Sequence, residues 1–532
     1  MSDMAGTEAV VIGSGPNGLV GANVLADAGW SVTVLEAASV PGGAVRSAEV
    51  TEPGFCNDLF SAFYPMAAVS PALAALHLDQ WGLRWARAPL VVAHPTATGP
   101  AAVMSTDIDV TAASLDRFCP GDGDAWRELH AVWARAREPL LKALLGPFPP
   151  LVAPLRLAAR LRGRGLLELT RLMAVPLRRL AEERFEGEGG GLLLAGNLMH
   201  TDLSVDSAGG MIATLVMAMV GQDHGFPVPE GGAQSLSDSL VRRLEAKGGR
   251  VVCGARADRL VVRGGRVVAV RLGDGREVDA GRAVLADVSA PALYRDLVGP
   301  EHLPARLLAD LRRFDWDGPS FKVDWALSGP IPWRDPQVGP AGTVHIGLSM
   351  EEISRTSWQL ANHIVPSDPF MLVGQMTTAD PTRSPAGTES AWAYTHVPKQ
   401  VRADGGPDGL TGRWDAREVD AFTARMERRV ESLAPGFSDL ILARHVQPPA
   451  ALEAANANLV GGAVGGGTAG LHQQLVFRPT PGLGRPETPV KGLYLASASA
   501  HPGGGVHGVC GSNAARAALL HERLGSIGRR HC

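Results

Sequence analysis

The chain has 532 residues, 45% of them hydrophobic and 20% charged, with a formal net charge of −4. Such a length and balance fit a globular protein of two or three domains and exclude a collagen-like or disordered chain. The slightly acidic balance excludes an overall nucleic-acid-binding surface, and no nucleic-acid partner is expected.

The chain opens "MSDMAGTEAVVIG", without a basic leader, so no secretory signal is expected. No charge-free apolar run of about 18 residues follows, which argues against a spanning helix. The cysteines Cys56, Cys119, Cys253, Cys510 and Cys532 form no C-x-x-C pair. That fits a reducing compartment and gives no zinc or dithiol motif, so no metal site is expected and the default location is the cytoplasm.

Residues 8 to 37 read "EAVVIGSGPNGLVGANVLADAGWSVTVLEA". A buried strand over Ala9–Ile12 is predicted to run into Gly13, Gly15 and Gly18, a G-x-G-x-x-G pattern opening a helix to Ala28. A second strand, Ser31–Leu35, ends in Glu36. Gly13 permits the tight turn, Gly15 lets backbone N–H groups approach a diphosphate, and Gly18 lets the helix lie close on the strand. Glu36, eighteen residues past Gly18, is placed to accept hydrogen bonds from ribose hydroxyls. "GGGTAG" (465–470) and "GGGVHG" (503–508) share the glycine spacing. Neither has an acid ending a second strand, so only the first unit reads as a dinucleotide site.

The next segment, "AASVPGGAVRS", places Gly42 and Gly43 just past the acid, followed by Arg46. This second glycine pair resembles the extended FAD fingerprint of the amine-oxidase and phytoene-desaturase superfamily. The resemblance implies FAD as cofactor and an α/β fold: a discontinuous Rossmann-type FAD-binding domain with an inserted α+β substrate domain. Many members carry an arginine directly after the pair, where this chain has Ala44, so Arg46 is read as either a cofactor residue or a surface arginine. "GFCNDLFSAFYP" (54–65) resembles the family segment that passes beneath the flavin and contains Asp58 and Tyr64.

On that resemblance the FAD-binding domain is expected over 1–80, 225–300 and 485–532, and the substrate domain over 81–224 and 301–484. In the first insertion, residues 139–180 hold Lys142, Arg156, Arg160, Arg162, Arg164, Arg171, Arg178 and Arg179 against the single acid Glu168. Leucines among them suggest a basic amphipathic helix, either on an anionic membrane surface or with a solvated basic face at a pocket mouth. "AGGMIATLVMAMVG" (208–221) is too short to span and reads as a buried helix. Residues 227–291 resemble the family's middle block: a helix, a strand Val251–Cys253, then hairpins around Gly264–Gly265 and Gly273–Gly275. The resemblance implies that adenine rests near Ala257. Alternating runs between 311 and 400 suggest a sheet flooring the substrate chamber. "GGAVGGG" (461–467) departs from the "GGDINGG" expected there, losing an acid and an amide.

The tail "LYLASASAHPGGGVHGVCGSNAARAAL" (493–519) resembles the closing flavin-binding motif of phytoene desaturases. The resemblance implies a strand Leu493–Ala496, a loop 500–508 crossing the flavin, and a helix from about Val509 to Leu520 whose positive end faces the flavin. Gly503, Gly504, Gly505 and Val506 are then cofactor contacts.

Walker, zincin and nucleophile-elbow motifs are missing from the sequence. The resemblance implies an FAD-dependent oxidoreductase, a dehydrogenase or desaturase. Its substrate is expected to be apolar and isoprenoid-like or a secondary-metabolite intermediate, giving a hydride to flavin N5 and a proton to a base. His501, His507 and Tyr64 are the candidate catalytic residues, each histidine alternatively a loop-shaping neighbour, and Asp58 reads better as a backbone cap. The sequence does not choose between oxygen, a quinone or a protein as electron acceptor. It leaves open a homo-oligomer and peripheral contact with the inner face of the membrane. A flavin-dependent isomerase or saturase, and a non-catalytic FAD-containing partner protein, stay as alternatives.

Overall fold

The computed structural model describes residues 6–150 and 153–530. Four buried apolar residues make β1 (Ala9–Ile12). Helix α1 (Pro16–Asp27) begins with proline, whose missing N–H is no loss in a first turn, and buries Leu19, Val20, Ala22 and Leu25. Strand β2 (Val32–Leu35) follows and delivers Glu36 at its end. The chain then leaves this layer through β3 (Leu90–His94), β4 (Ala102–Met104), α2 (Asp122–Leu144), α3 (Ala153–Ala174), α4 (Glu188–Leu198) and α5 (Met211–His224). It returns with α6 (Gln234–Ala246), β5 (Arg250–Val252), β6 (Ala257–Arg263), β7 (Arg266–Leu272), β8 (Glu277–Asp279) and β9 (Ala283–Ala286). A second excursion holds β10 (Ser320–Leu327), β11 (Ala341–Ile346), β12 (Met371–Gln375), β13 (Glu389–His396), α7 (Ala416–Glu431) and β14 (Ile441–Gln447). Strand β15 (Leu493–Leu495) and helix α8 (Val509–Arg530) close the chain.

These strands form three main sheets. The first is parallel, in the order β15-β9-β1-β2-β5, with Ala9–Ile12 registered against Val32–Leu35 on one side and Ala283–Ala286 on the other. The central strands β1 and β9 are covered on both faces and are apolar throughout rather than alternating. Helix α8 crosses α1 so closely that a Cβ on Gly511 would stand 1.7 Å from the Asn17 carbonyl oxygen. That contact brings the start of α8 to the β1–α1 loop. The antiparallel meander β6-β7-β8 lies beside this layer, and Leu307 and Leu311 join its core. The expected boundary at residues 300–301 thus falls just before side chains that pack with the first sheet.

The third sheet is mixed, ordered β14-β10-β13-β12-β11-β3-β4. Its side chains alternate between faces. Phe321, Val323, Trp325, Val344, Ile346 and Val373 point to one side and pack with Phe422 and Met426 of α7. The other face carries Val92, Leu372 and Trp392 into a core shared with α4 and α5. The 208–221 stretch is the buried helix α5, and no helix among the described residues is long and apolar enough to cross a membrane. The closing helix runs past the expected Leu520 because nothing in "HERLGSIGRR" breaks it: there is no proline.

Candidate active site

The β1–α1 loop is built from backbone. Gly13 has φ +90°, a left-handed value that favours glycine, and it starts the turn. Gly43 reaches back over the same loop, so that a Cβ there would lie 2.8 Å from the Gly15 Cα, and Gly42 N–H donates to the Ser14 carbonyl. Glu36 is 9% exposed. Its Oε2 accepts from Ser14 N (2.8 Å) and Ser14 Oγ (2.6 Å), and its Oε1 from Ala38 N (2.8 Å). A carboxylate offers about four acceptor positions, so one remains for a ribose hydroxyl. Ala255 N–H donates to the Glu36 carbonyl, which sets the strand leading to Ala257 beside the acid. Arg46 is half-buried: Nε donates to the Gly43 carbonyl (2.9 Å), and the guanidinium lies 5.2 Å from the Phe60 ring centre. Asn17 Oδ1, in the first turn of α1, is buried without a hydrogen-bond partner among the described residues. An open backbone cradle, a positive helix end and an unpaired polar atom fit a dinucleotide.

The tail loop packs against a second glycine run. A Cβ on Gly504 would stand 2.8 Å from the Gly465 carbonyl oxygen. Arg478, 1% exposed, ties the two together by donating to the carbonyls of Gly465, Thr468 and Ala498. It has no carboxylate partner among the described residues. His507 Nδ1 accepts from Val509 N (3.0 Å), and its Nε2–H donates to the Gly503 carbonyl (3.3 Å). Burial holds this ring neutral, with its pKa down at about 4. Both nitrogens are thereby engaged in shaping the loop and starting α8. His501 differs. It is 5% exposed, its Nε2 has no partner among the described residues, and its ring meets Phe148 edge-on at 5.5 Å. Burial, then the nearby Arg478 charge, lower its pKa to about 4. Tyr64 is buried with its hydroxyl donating to the Ser61 carbonyl, and burial raises its pKa, so it stays protonated and is not available as a base. Asp58 accepts from Ala233 N and pairs with Arg383, a capping role.

The polar face of the third sheet adjoins this loop. Asp317 accepts from the amides of Val464, Gly465 and Gly467, and Phe63 meets Trp392 at 6.1 Å. On that face Lys322 and Asp324, 4% and 0% exposed, form a buried ion pair in which Nζ donates to both carboxylate oxygens. Tyr394 and Gln447 flank Lys322 in register, and His396 lies opposite Ser320. His396 Nδ1 lies 3.2 Å from the Gly318 carbonyl, which can only accept, so Nε2 carries the lone pair. His396 Nε2, Ser320 Oγ and Gln447 Oε1 are all buried without partners among the described residues. No cluster of three or more metal-ligating side chains occurs among the described residues. The alternation of 311–400 signalled this sheet, but nothing in the sequence marked Lys322, Asp324, His396 or Arg478. The i, i+2 spacing of "KVD" puts Lys322 and Asp324 on one face of a strand, a pattern too common to single them out.

Residues 11–75 match an NAD(P)-binding Rossmann-like domain, and residues 105–389 match the flavin containing amine oxidoreductase family. The chain belongs to the flavin containing amine oxidoreductase family. Pyridine nucleotide-disulfide oxidoreductase domain-containing protein 2 of Mus musculus is 27% identical, covering 96% of this chain and 92% of its own. The neurosporene-forming phytoene desaturase of Rhodobacter capsulatus is 25% identical over 97% of this chain and 94% of its own. Cyclohexylamine oxidase from Brevibacterium oxydans shares the fold at a TM-score of 0.59 and 18% identity, over 97% of this chain and 99% of that one. This member of the amine oxidoreductase family is a flavin-dependent oxidoreductase, and its cofactor is FAD.

Proposed function

We propose that this oxidoreductase dehydrogenates an apolar small molecule, with FAD held by Gly13, Gly15, Gly18, Glu36, Gly42, Gly43 and Arg46, adenine near Ala257, and the flavin against 503–506. Bound FAD supplies a hydride acceptor. The chain supplies a proton acceptor, His501. The observation that carries this reading is the His501 imidazole beside the glycine loop, neutral, buried and without a partner at Nε2 among the described residues. The kinship with a phytoene desaturase supports an apolar substrate, as do the partly buried Phe63 and Tyr394, packed against the core that holds Leu372 and Trp392. Anaerobic mixing with isoprenoid hydrocarbons tests it: flavin bleaching in the wild type, slowed in His501→Ala, is expected. Bleaching that is equal in both removes His501.

A second reading is favoured by His396 Nε2, Ser320 Oγ and Gln447 Oε1, since buried polar atoms without partners call for a ligand that satisfies them. It keeps the apolar body and adds a hydroxyl or N–H group on the substrate. Isoprenoid alcohols reducing the flavin faster than the matching hydrocarbons would favour it.

Peripheral contact with an anionic membrane belongs to the same proposal. Leu166 and Leu167 of α3 are exposed, as are Leu471, Leu475 and Phe477 in the loop beside the glycine run. The side chains of Arg156, Arg160, Arg162 and Arg164 lie outside the described residues.

A further inference from the structure

Asp287 follows the last residue of β9, where the strand order of the parallel sheet reverses around β1. Its N–H donates to the Ile12 carbonyl, which continues the ladder past the strand end. Its carboxylate turns over the β1–α1 loop, and Oδ2 accepts from Gly18 N at 2.8 Å. A Cβ on Gly15 would stand 2.6 Å from the same Oδ2, and one on Gly13 2.8 Å from the Asp287 carbonyl oxygen. The glycines of the loop are therefore fitted around this side chain, which is 6% exposed.

The first turn of α1 carries no acid of its own. Asp287 stands at the positive helix end that the fold offers to the cofactor diphosphate. Two anions cannot share that position cheaply, because a carboxylate and a phosphate a few ångströms apart repel strongly when water is excluded. A protonated carboxyl removes the repulsion and offers an O–H donor. Burial pushes Asp287 up to about 7; the Gly18 amide opposes this and the Glu36 carboxylate adds to it. The ionisable groups facing it are Glu36 from the end of β2 and the Cys510 thiol from α8. Asn458 donates only to its backbone carbonyl, and among the described residues β1 and α1 bring backbone and Asn17 alone.

We infer that FAD binding takes up a proton at Asp287, and that ionisation of this carboxyl releases the cofactor. The inference rests on FAD occupying the β1–α1 loop. The free protein exchanges the proton near neutrality, and the complex holds it to higher pH because the diphosphate adds negative charge. Above neutrality the FAD dissociation constant should therefore rise about tenfold per pH unit, the slope of a single linked proton.

The holoprotein is diluted between about pH 6 and pH 9, and released flavin is read by its fluorescence. The wild type should hold FAD evenly below neutrality and lose it by up to about 100-fold at the alkaline end. Asp287→Asn, which keeps the shape and cannot ionise, should show a flat profile near the acidic wild-type value. Glu36→Gln should bind more weakly but keep the slope. A flat wild-type profile, or an unchanged slope in Asp287→Asn, overturns the inference. Should Asp287→Asn fail to fold, calorimetry of FAD binding to wild type in two buffers of different ionisation enthalpy decides. Uptake of about one proton at pH 8 supports it and none overturns it. A protein holding no FAD at any pH would instead remove the cofactor reading itself.

Discussion

Gly504 and Gly465 meet backbone to backbone: a Cβ on Gly504 would lie 2.8 Å from the Gly465 carbonyl oxygen and 3.1 Å from its Cα. The glycine run of the tail therefore makes room for a second chain segment as well as for a flat cofactor. Gly504→Ala should force the two loops apart, at an overpacking cost of about 1–3 kcal/mol. Arg478 spans the same loops, so its carbonyl contacts should loosen with them. The expected result is a lower ratio of flavin to protein absorbance and a lower unfolding temperature. An alanine variant with full flavin content and unchanged melting would show that the loops do not meet.

Glu36 holds the β1–α1 loop through Ser14 and has an acceptor position left. Glu36→Ala should weaken FAD retention by about 1.5–3 kcal/mol for each charge-assisted hydrogen bond lost. It should also free Ser14, so Glu36→Gln, which still accepts, should bind between the two. Equilibrium dialysis of FAD against the three proteins gives the order, and equal retention by all three would exclude Glu36 from the cofactor site.

What could be read in the sequence was local. Gly13, Gly15, Gly18 and Glu36 lie within one strand–helix–strand unit, where spacing fixes geometry, and that unit appears in the fold as expected. The tail was legible for the same reason, since Leu493–Leu495 and the helix from Val509 flank a glycine run. Asp287 was hidden because its partner Gly18 is 269 residues away. Arg478 reads as an ordinary loop arginine until the fold wraps three carbonyls around it. His396 became visible only when the Gly318 carbonyl fixed its tautomer, a contact spanning 78 residues. His507 shows the limit from the other side: sequence put it in the right loop, but only the Val509 amide and the Gly503 carbonyl reveal that both its nitrogens are engaged.

His200, just past α4, and His345 of β11 touch through their Nε2 atoms at 3.1 Å, with His94 of β3 beside His345. Burial lowers His94 to about 4 and His200 to about 3, and carries His345 well below its ordinary value. The unfolded chain takes up these protons near pH 6.5 while the folded one refuses them, so stability falls as pH drops from 6.5 toward 4. Each group contributes at most about 1.4 kcal/mol per pH unit in that window. Asp287 and Glu389, raised to about 7 chiefly by burial, act in the opposite sense between about 4 and 7. His345→Asn should therefore flatten the acid side of the melting-temperature profile. A variant whose profile runs parallel to wild type between pH 5 and 7 would show that His345 takes no part.

If α3 and the exposed Leu471–Phe477 loop meet a membrane, the protein should bind anionic vesicles better than neutral ones, and salt should weaken the binding. Reversing Arg156, Arg160 and Arg164 to glutamate should abolish it. Flotation with phosphatidylserine and phosphatidylcholine vesicles measures this directly. Equal recovery on both would leave the basic helix as a solvated face.

His501 and His507 sit six residues apart and should respond differently to the same truncation. His507→Ala removes the acceptor for Val509 N–H and the donor to Gly503, leaving a buried amide unsatisfied at a cost of about 1–3 kcal/mol. Flavin content and melting temperature should fall together, while the rate of flavin reduction in the molecules that keep FAD changes little. His501→Ala removes an imidazole whose Nε2 has no partner among the described residues, so FAD should stay bound. If His501 accepts the substrate proton, anaerobic stopped-flow reduction should slow by about 10²–10⁴-fold. The wild-type rate should also be flat above about pH 5 and fall only toward 4, because burial and Arg478 hold the ring neutral down to there. That acid limb should disappear in His501→Ala and survive in His507→Ala. The reverse pattern would transfer the proton-accepting role to His507, and an acid limb kept by both variants would remove it from both histidines.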